Sequence, residues 1–462
     1  MYAPIDAALW SRNLPREHGF EPLAIEGRIP PDLRGTLFRN GPALFELFGR
    51  AVAHPFDGDG AVSAFRIDDR GAAGAVRVTD SAGLRAERAA GRRLFGDRIG
   101  WLRRLRNTRR GVEKNTANTS VVVWQGRLLA LMEGARPTEI DPHDLRTLGE
   151  TDLGGTVGAM FSAHPHRVAA RRTTYNFGLE YGPTTRIHLY ALPDDGAARR
   201  LGAVAIEAPT MIHDFIATER HLVFFVSPVR FDLVRALLAI GASTDLLRWK
   251  PALGTEVLVV PIDQPDAVVR FPAEPFFQWH FANAFERGGE IVVDYVRYRG
   301  IESLSEVADG ARAIDGHLHR AVVDPARRTL TSQRLVDVPC EFPRVHPRVE
   351  GAPHRHVWMT DGDLGTLLRH DVDGGGLVRH PLPAHQRASE PIFVPRAGAT
   401  DEADGHVLSL CYDGERDRSF VAIYDGLRLG DGPVARLWLD HRVPITFHGT
   451  WAPAPAPPPG RQ

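Results

Sequence analysis

The sequence predicts an all-β fold, a β-propeller of seven blades. Three observations predict it. Short apolar runs recur with Gly, Pro, Asn or Asp turn signals about every ten residues, the rhythm of a sandwich, barrel or propeller. Successive runs read as hairpins, so the chain meanders without the helical crossovers of a parallel sheet. The 462 residues contain no linker in the middle, and blades of roughly 60 residues use that length economically in one domain. No WD or kelch signature marks the blades, so size and meander pattern carry the prediction.

Residues 1–35, with prolines at 4, 15, 22, 30 and 31, read as an irregular strap over the domain. The propeller is expected over 36–451, entered through Thr36-Leu37-Phe38-Arg39-Asn40-Gly41-Pro42. His54-Pro55-Phe56-Asp57-Gly58-Asp59-Gly60 is a tight turn before the strand Ala61–Ile67, since Asp-Gly pairs tolerate the positive φ such turns need. It lacks the further acidic ligands of a calcium loop. Val121–Trp124 and Arg127–Met132 form a hairpin across Gln125-Gly126. Leu222–Val226, Val257–Val260 and Ile291–Val296 read as strands. Hairpins are expected about Asp324–Arg328, Asp371–Gly376 and Asp413–Arg416. Two segments break the rhythm. Residues 94–111 are apolar and basic, and 231–249 read as a helix apolar on most sides, which is either buried or lipid-facing. The tail 452–462 is Pro-rich and expected to be disordered.

A net charge of −1 argues against nucleic acid as a partner. Two cysteines, Cys340 and Cys411, make no disulfide scaffold and suit a reducing cytoplasm. Residues 1–6 lack the basic-then-apolar pattern of a signal peptide. No run reaches the roughly 18 apolar residues of a membrane span. The expectation is a cytoplasmic protein, either free or resting on a membrane surface.

Four histidines stand in apolar settings: His164 in Phe161-Ser162-Ala163-His164-Pro165, His213 in Met211-Ile212-His213-Asp214-Phe215, His280 in Gln278-Trp279-His280-Phe281, and His448 in Ile445-Thr446-Phe447-His448-Gly449. They lie well apart along the chain, yet inner strands of a propeller meet at one axis, so they can form one metal site. Imidazole suits Zn, Cu, Fe or Ni, and these residues alone do not choose among them. Glu133, Glu341 and Glu390 also sit in or beside apolar runs, where a buried carboxylate must be paired. A metal-bound imidazole normally donates its other N–H to such a group. His54, His166, His317, His319, His354 and His356 lie in polar or turn contexts and are left out of the site.

Taken together, Phe38–Pro42, Phe56–Gly60, Asn115–Thr119, Ala163–Pro165, His213–Phe215, His280–Glu286, Glu341–Pro343, Ser389–Phe393 and Phe447–Trp451 closely resemble the carotenoid cleavage oxygenases, in order from about residue 20 to 451. The resemblance implies a seven-bladed propeller with a dome over its top face, built here from about 94–111 and 231–249. It implies Fe2+ held by His164, His213, His280 and His448, with Glu133, Glu341 and Glu390 orienting the last three. Thr119 matches a position whose methyl group leans toward an open coordination site. The implied reaction is cleavage of a conjugated C=C bond by O2 to two carbonyl products. Relatives that cleave lignostilbenes hold the substrate phenol with a lysine just before the Glu133 position and a tyrosine after Leu94-Phe95-Gly96. Met132 stands at the first position, and residues 97–101 contain no tyrosine. A carotenoid or apocarotenoid is therefore the expected substrate, drawn from a membrane surface that acts as its reservoir. A stilbene-cleaving dioxygenase is the alternative enzyme, and a non-catalytic propeller binding module the alternative class.

Overall fold

The computed structural model describes residues 7–182, 184–241, 244–304 and 314–454. Its sheets follow one another along the chain as the seven blades of a propeller. The first blade is Ser120–Trp124, Arg127–Leu131, Thr138–Ile140 and Thr147–Glu150. The second, third, fourth and fifth begin with His166–Val168, Ile216–Ala217, Phe277–Arg287 and Cys340–Arg344, each at an edge of its sheet. The sixth contains Gln386–Ala388 and Ile392–Pro395 end to end along one edge of Gly405–Asp413.

The seventh blade joins the two ends of the chain. His448–Pro453 pairs with Gly35–Leu44 from Asn40↔His448 to Gly35↔Pro453, and His18–Pro22 adds at the far side against Gly71–Val78. Ala24–Gly27 pairs instead with Pro433–Trp438 of the sixth blade. The expected irregular strap thus contains two strands, and the expected tail begins inside a strand that runs to Pro453. Residues 455–462 of that tail, 1–6 of the strap, and 242–243 lie outside the described residues. The reason for the difference is that two of these pairings join residues some 400 positions apart and the third residues more than 50 apart, and periodicity within a short window does not register them.

Side chains from facing blades fill the space between them. Between the second and third blades, Phe215 stacks on Phe224 with ring centres 5.2 Å apart, and Phe177 meets both edge-on at 5.4 Å. All three are buried. Burial of such a ring stabilises by roughly 1.5–3 kcal/mol, and Phe224→Ala, which leaves a cavity, is expected to cost about 3–5 kcal/mol.

Short helices lie outside the blades. α1 (Ala82–Ala90) starts where the Ser81 hydroxyl accepts from Leu84 N at 3.2 Å and stops at Gly91, whose φ of 59° suits glycine. The buried Glu87 of α1 shares the Lys114 ammonium with Asp59, at 2.7 Å and 2.6 Å. α2 (Trp101–Arg109) falls in the first of the two interrupting segments. The second does not form the long helix expected of it. α3 covers only Leu233–Leu238, capped by Asp232, and ends at Ala239 with φ 53°. Leu247–Trp249 then returns as a strand against Val229–Phe231. The Trp101 indole N–H donates to Leu238 O at 3.0 Å, so α2 and α3 form one cap.

Candidate metal centre

Each blade sends at least one chemically distinctive side chain to the axis. Thr119 and Glu133 flank the first hairpin of the first blade. His164 and His213 lie two and three residues before the inner strands of the second and third. His280 lies within the inner strand of the fourth, beside a break in register on either side of Phe281. Glu341 is in the inner strand of the fifth, Glu390 between the two short strands of the sixth, and His448 begins the inner strand of the seventh.

The four imidazoles meet. The His164 ring centre is 4.3, 5.2 and 4.7 Å from those of His213, His280 and His448. One ring nitrogen each of His164, His280 and His448 lies within 4.8 Å of the others. His213 Nε2 and His280 Nε2 are 3.3 Å apart. Carboxylates back three of the rings. His280 Nδ1 donates to Glu341 Oε2 at 2.5 Å and His448 Nδ1 to Glu390 Oε1 at 2.9 Å, while His213 Nδ1 is in contact with Glu133 Oε1. His164 has no carboxylate partner among the described residues, and its Nε2 is buried without a hydrogen bond.

The three carboxylates differ in their own support. Glu390 Oε2 accepts from Arg39 at 2.8 Å and from Gly449 N at 2.9 Å. Glu341 accepts from the Tyr298 hydroxyl at 2.5 Å and from Phe342 N at 2.7 Å. Glu133 is 36% exposed, against 2% for Glu341 and 1% for Glu390.

Electrostatics follow from these contacts. Burial would raise the Glu390 carboxyl, but Arg344, His448 and Arg39 together hold it well below the usual carboxylate range. Burial would likewise raise Glu341, and His280 and Tyr298 outweigh it. His280 is pushed up because Glu341 more than offsets its burial. For His448 burial wins despite Glu390, and its pKa falls to about 4. Burial drives His164 well below its ordinary value, and the three neighbouring imidazoles add to this. His164 and His448 are therefore neutral at pH 7, the form that ligates metal.

These residues fit a metal ion. With Nδ1–H of His280 and His448 committed to carboxylates, their Nε2 atoms carry lone pairs, and lone pairs directed at one another repel unless a cation lies between them. The orphaned, buried His164 Nε2 points to the same conclusion.

Beside the cluster is a cavity of about 240 Å³. Trp10, Phe56, Met132, Trp279, Ile314, Phe342, Leu364 and Phe447 supply its apolar wall. Thr116, Asn118, Thr119, the three glutamate-backed histidines, Glu133 and Glu341 supply its polar groups. The Thr119 hydroxyl donates to Asn118 Oδ1 at 3.1 Å. Met132 Sδ accepts from Thr116 N at 3.2 Å. A larger groove of about 620 Å³ lies elsewhere, against α2, and contains none of these groups.

Sequence reasoning missed Arg39, Tyr298, His166 and Asp214. His166 was set aside as a polar-context residue, but its Nε2 bonds Asp214 Oδ1 at 2.8 Å. The signal that singled out the glutamates, an acid inside an apolar run, was equally present at Asp214 in Ile212-His213-Asp214-Phe215.

A family described as retinal pigment epithelial membrane protein (RPE65) matches residues 12–453. The apocarotenoid-15,15'-oxygenase of Synechocystis sp. is 33% identical, over 98% of this chain and 97% of its own length. The lignostilbene-alpha,beta-dioxygenase isozyme III of Sphingomonas paucimobilis is 28% identical, over 94% of each. Among solved structures, cobalt-substituted Synechocystis ACO superposes with a TM-score of 0.90 at 32% identity, over 97% of this chain and 98% of that one.

Proposed function

The chain belongs to the RPE65/carotenoid oxygenase family, and from that premise we propose a non-haem Fe2+ dioxygenase that uses O2 to cleave a conjugated C=C bond of a carotenoid or apocarotenoid into two carbonyl products. The observation that carries the reading is four converging imidazoles, of which three are backed by carboxylates and line an apolar cavity. His164, His213, His280 and His448 would hold the ion. Iron bound there would supply the O2 activation that no side chain offers.

The chain's own residues do the rest. Glu133, Glu341 and Glu390 orient His213, His280 and His448 through Nδ1, keeping each Nε2 lone pair inward. Arg39 and Tyr298 in turn fix Glu390 and Glu341. Thr119 engages Asn118 with its hydroxyl, which leaves its methyl group to narrow the cavity. Phe56, Trp279, Phe342 and Phe447 grip the polyene and exclude water. No acid or base is required of the protein, and each carbonyl product receives one oxygen atom of O2.

A polyene of about 25–40 carbons is held in a bilayer by about 0.8 kcal/mol per CH2-sized unit, so release into water is prohibitively slow. We propose that α2 and α3 collect it at the membrane surface. Leu102, Val234 and Leu237 are 74%, 68% and 65% exposed, and Lys250, with Arg235 and Arg248 that flank Asp232, offers positive charge to head groups. One apolar cluster links this cap to the cavity: Leu247, Trp249 and Phe56 all pack against the buried group that contains Trp279. No helix among the described residues is long and apolar enough to cross a membrane. We assign the protein to the cytoplasm, peripherally attached.

A second reading, cleavage of a stilbene, gains from the modest cavity volume and loses from Met132 and the absence of tyrosine in 97–101. Product masses decide. Two aldehydes from an apocarotenal, formed faster than any product from a resveratrol-type substrate, are expected. Faster turnover of the stilbene would reverse the order.

A further inference from the structure

Asp214 follows His213 and is buried. Its Oδ1 accepts from His166 Nε2 at 2.8 Å and from Phe215 N at 2.8 Å, and its Oδ2 accepts from Phe281 N at 2.9 Å. His166 stands two residues after His164, and Phe281 one residue after His280. One carboxylate therefore joins the segments that carry three of the four histidines, across the second, third and fourth blades.

The sheets themselves do not set these distances. His166–Val168, Ile216–Ala217 and Phe277–Arg287 are all edge strands, each hydrogen-bonded to a neighbour on one side only. In Phe277–Arg287 the register with Glu290–Tyr298 slips both before and after Phe281. A bulge of that kind loosens the ladder and re-aims side chains, so the strand needs another anchor at His280. The Phe281 N–H turned toward Asp214 supplies it. His448 is held differently, through Gly449 N on Glu390 and the pairing of Asn40 with His448.

We infer that Asp214, with His166 as its partner, is a positioning residue that sets the spacing of His164, His213 and His280 around the metal. The inference rests on the reading that these histidines hold an ion. The carboxylate itself is committed to His166, Phe215 and Phe281 and is no ligand. It acts because an ionised acid accepting several N–H groups in a dry site is strong and directional.

The test uses Co2+ alone as probe, on full-length protein stripped of metal, with chelator competition and the visible spectrum of the bound ion. Asp214→Ala should weaken Co2+ binding by about 10–100-fold, the cost typical of groups that support metal ligands, and should shift the Co2+ bands. Asp214→Asn retains one oxygen for a backbone N–H and should fall between Asp214→Ala and the unmodified chain. His166→Gln, which keeps a donor to Asp214, should bind Co2+ better than His166→Phe. In the iron-loaded enzyme the loss should appear in kcat, with KM little changed, because the substrate wall is intact. Normal Co2+ affinity and an unaltered spectrum in both Asp214→Ala and His166→Phe would overturn the inference. Should Asp214→Ala fail to fold, the order of His166→Gln and His166→Phe decides alone. An unmodified chain that takes up no Co2+ refutes the metal centre itself, and the inference with it.

Discussion

The axis and the cap break the usual rule of burial in opposite directions. At the axis, Glu341, Glu390, Asp214 and Arg39 are buried, where a propeller of this size would pack apolar side chains. On the cap, Trp101, Leu102, Val234, Leu237 and Ile240 are exposed, where a surface is normally polar. Buried charge and exposed apolar patches are the informative departures, because each costs free energy unless something offsets it. At the axis a web of hydrogen bonds offsets that cost, joined on the proposed reading by a metal ion. At the cap the proposed reading supplies a lipid surface. On that reading the two regions divide the work: one would perform the oxidation, and the other would supply a substrate that water cannot carry.

If this division is right, substitutions in the two regions separate into different measurements. The largest effects belong to the ligands. His213→Ala, His280→Ala or His448→Ala should abolish metal retention and turnover alike, read by metal analysis and product formation. Next come the carboxylates. Glu133→Gln, Glu341→Gln or Glu390→Gln should weaken metal retention by about 10–100-fold. Among these Glu390→Gln should also lower the thermal midpoint most, because it strands the buried Arg39 without its counter-charge. Full metal and full turnover in all three would detach these glutamates from the site.

At the cap, serine at Leu237, Leu238 and Ile240 together should reduce vesicle binding and turnover of vesicle-embedded substrate, with little change in detergent micelles. Equal losses in both media would make the cap ordinary packing. The smallest effect is a control at the far end of the strand that carries His280. Glu286 accepts from Thr218, His221 and Arg220, and these partners outweigh its burial to hold its pKa at about 2, below the ordinary 4.5. A depressed carboxyl stabilises the fold fully above 4.5, and that contribution is lost as pH falls from there toward about 2. Glu286→Gln should therefore flatten acid unfolding in that window and leave metal affinity alone. A fall in metal affinity would mean the axis is less local than described.

How much could be read in advance depended on the range of the interaction. The hairpins were legible because a turn such as Gln125-Gly126 and its flanking runs are local. The four histidines and three glutamates were legible because an ionisable group in an apolar run is conspicuous wherever it falls. The closure of the ring was not, since Ala24–Gly27 and His448–Pro453 become strands only through partners from the other end of the chain. Residues 231–249 misled because their apolar content suited a helix. Asp232 and Ala239 nevertheless cap it after six residues, and Leu247–Trp249 is drawn into a ribbon with Val229–Phe231. Asp214 escaped notice because, beside a histidine already assigned to the site, it read as a neighbour and not as a group with contacts of its own.

The central claim is that one ion at the four histidines is what makes this propeller an oxygenase. Anaerobic titration of metal-free protein with Fe2+, followed by assay with an apocarotenal and O2, tests it directly. The account predicts that activity rises in proportion to added Fe2+ and breaks sharply at about one equivalent per chain, the capacity of a single imidazole site. Aldehyde formation without metal, or a rise that continues unbroken past one equivalent, would contradict it.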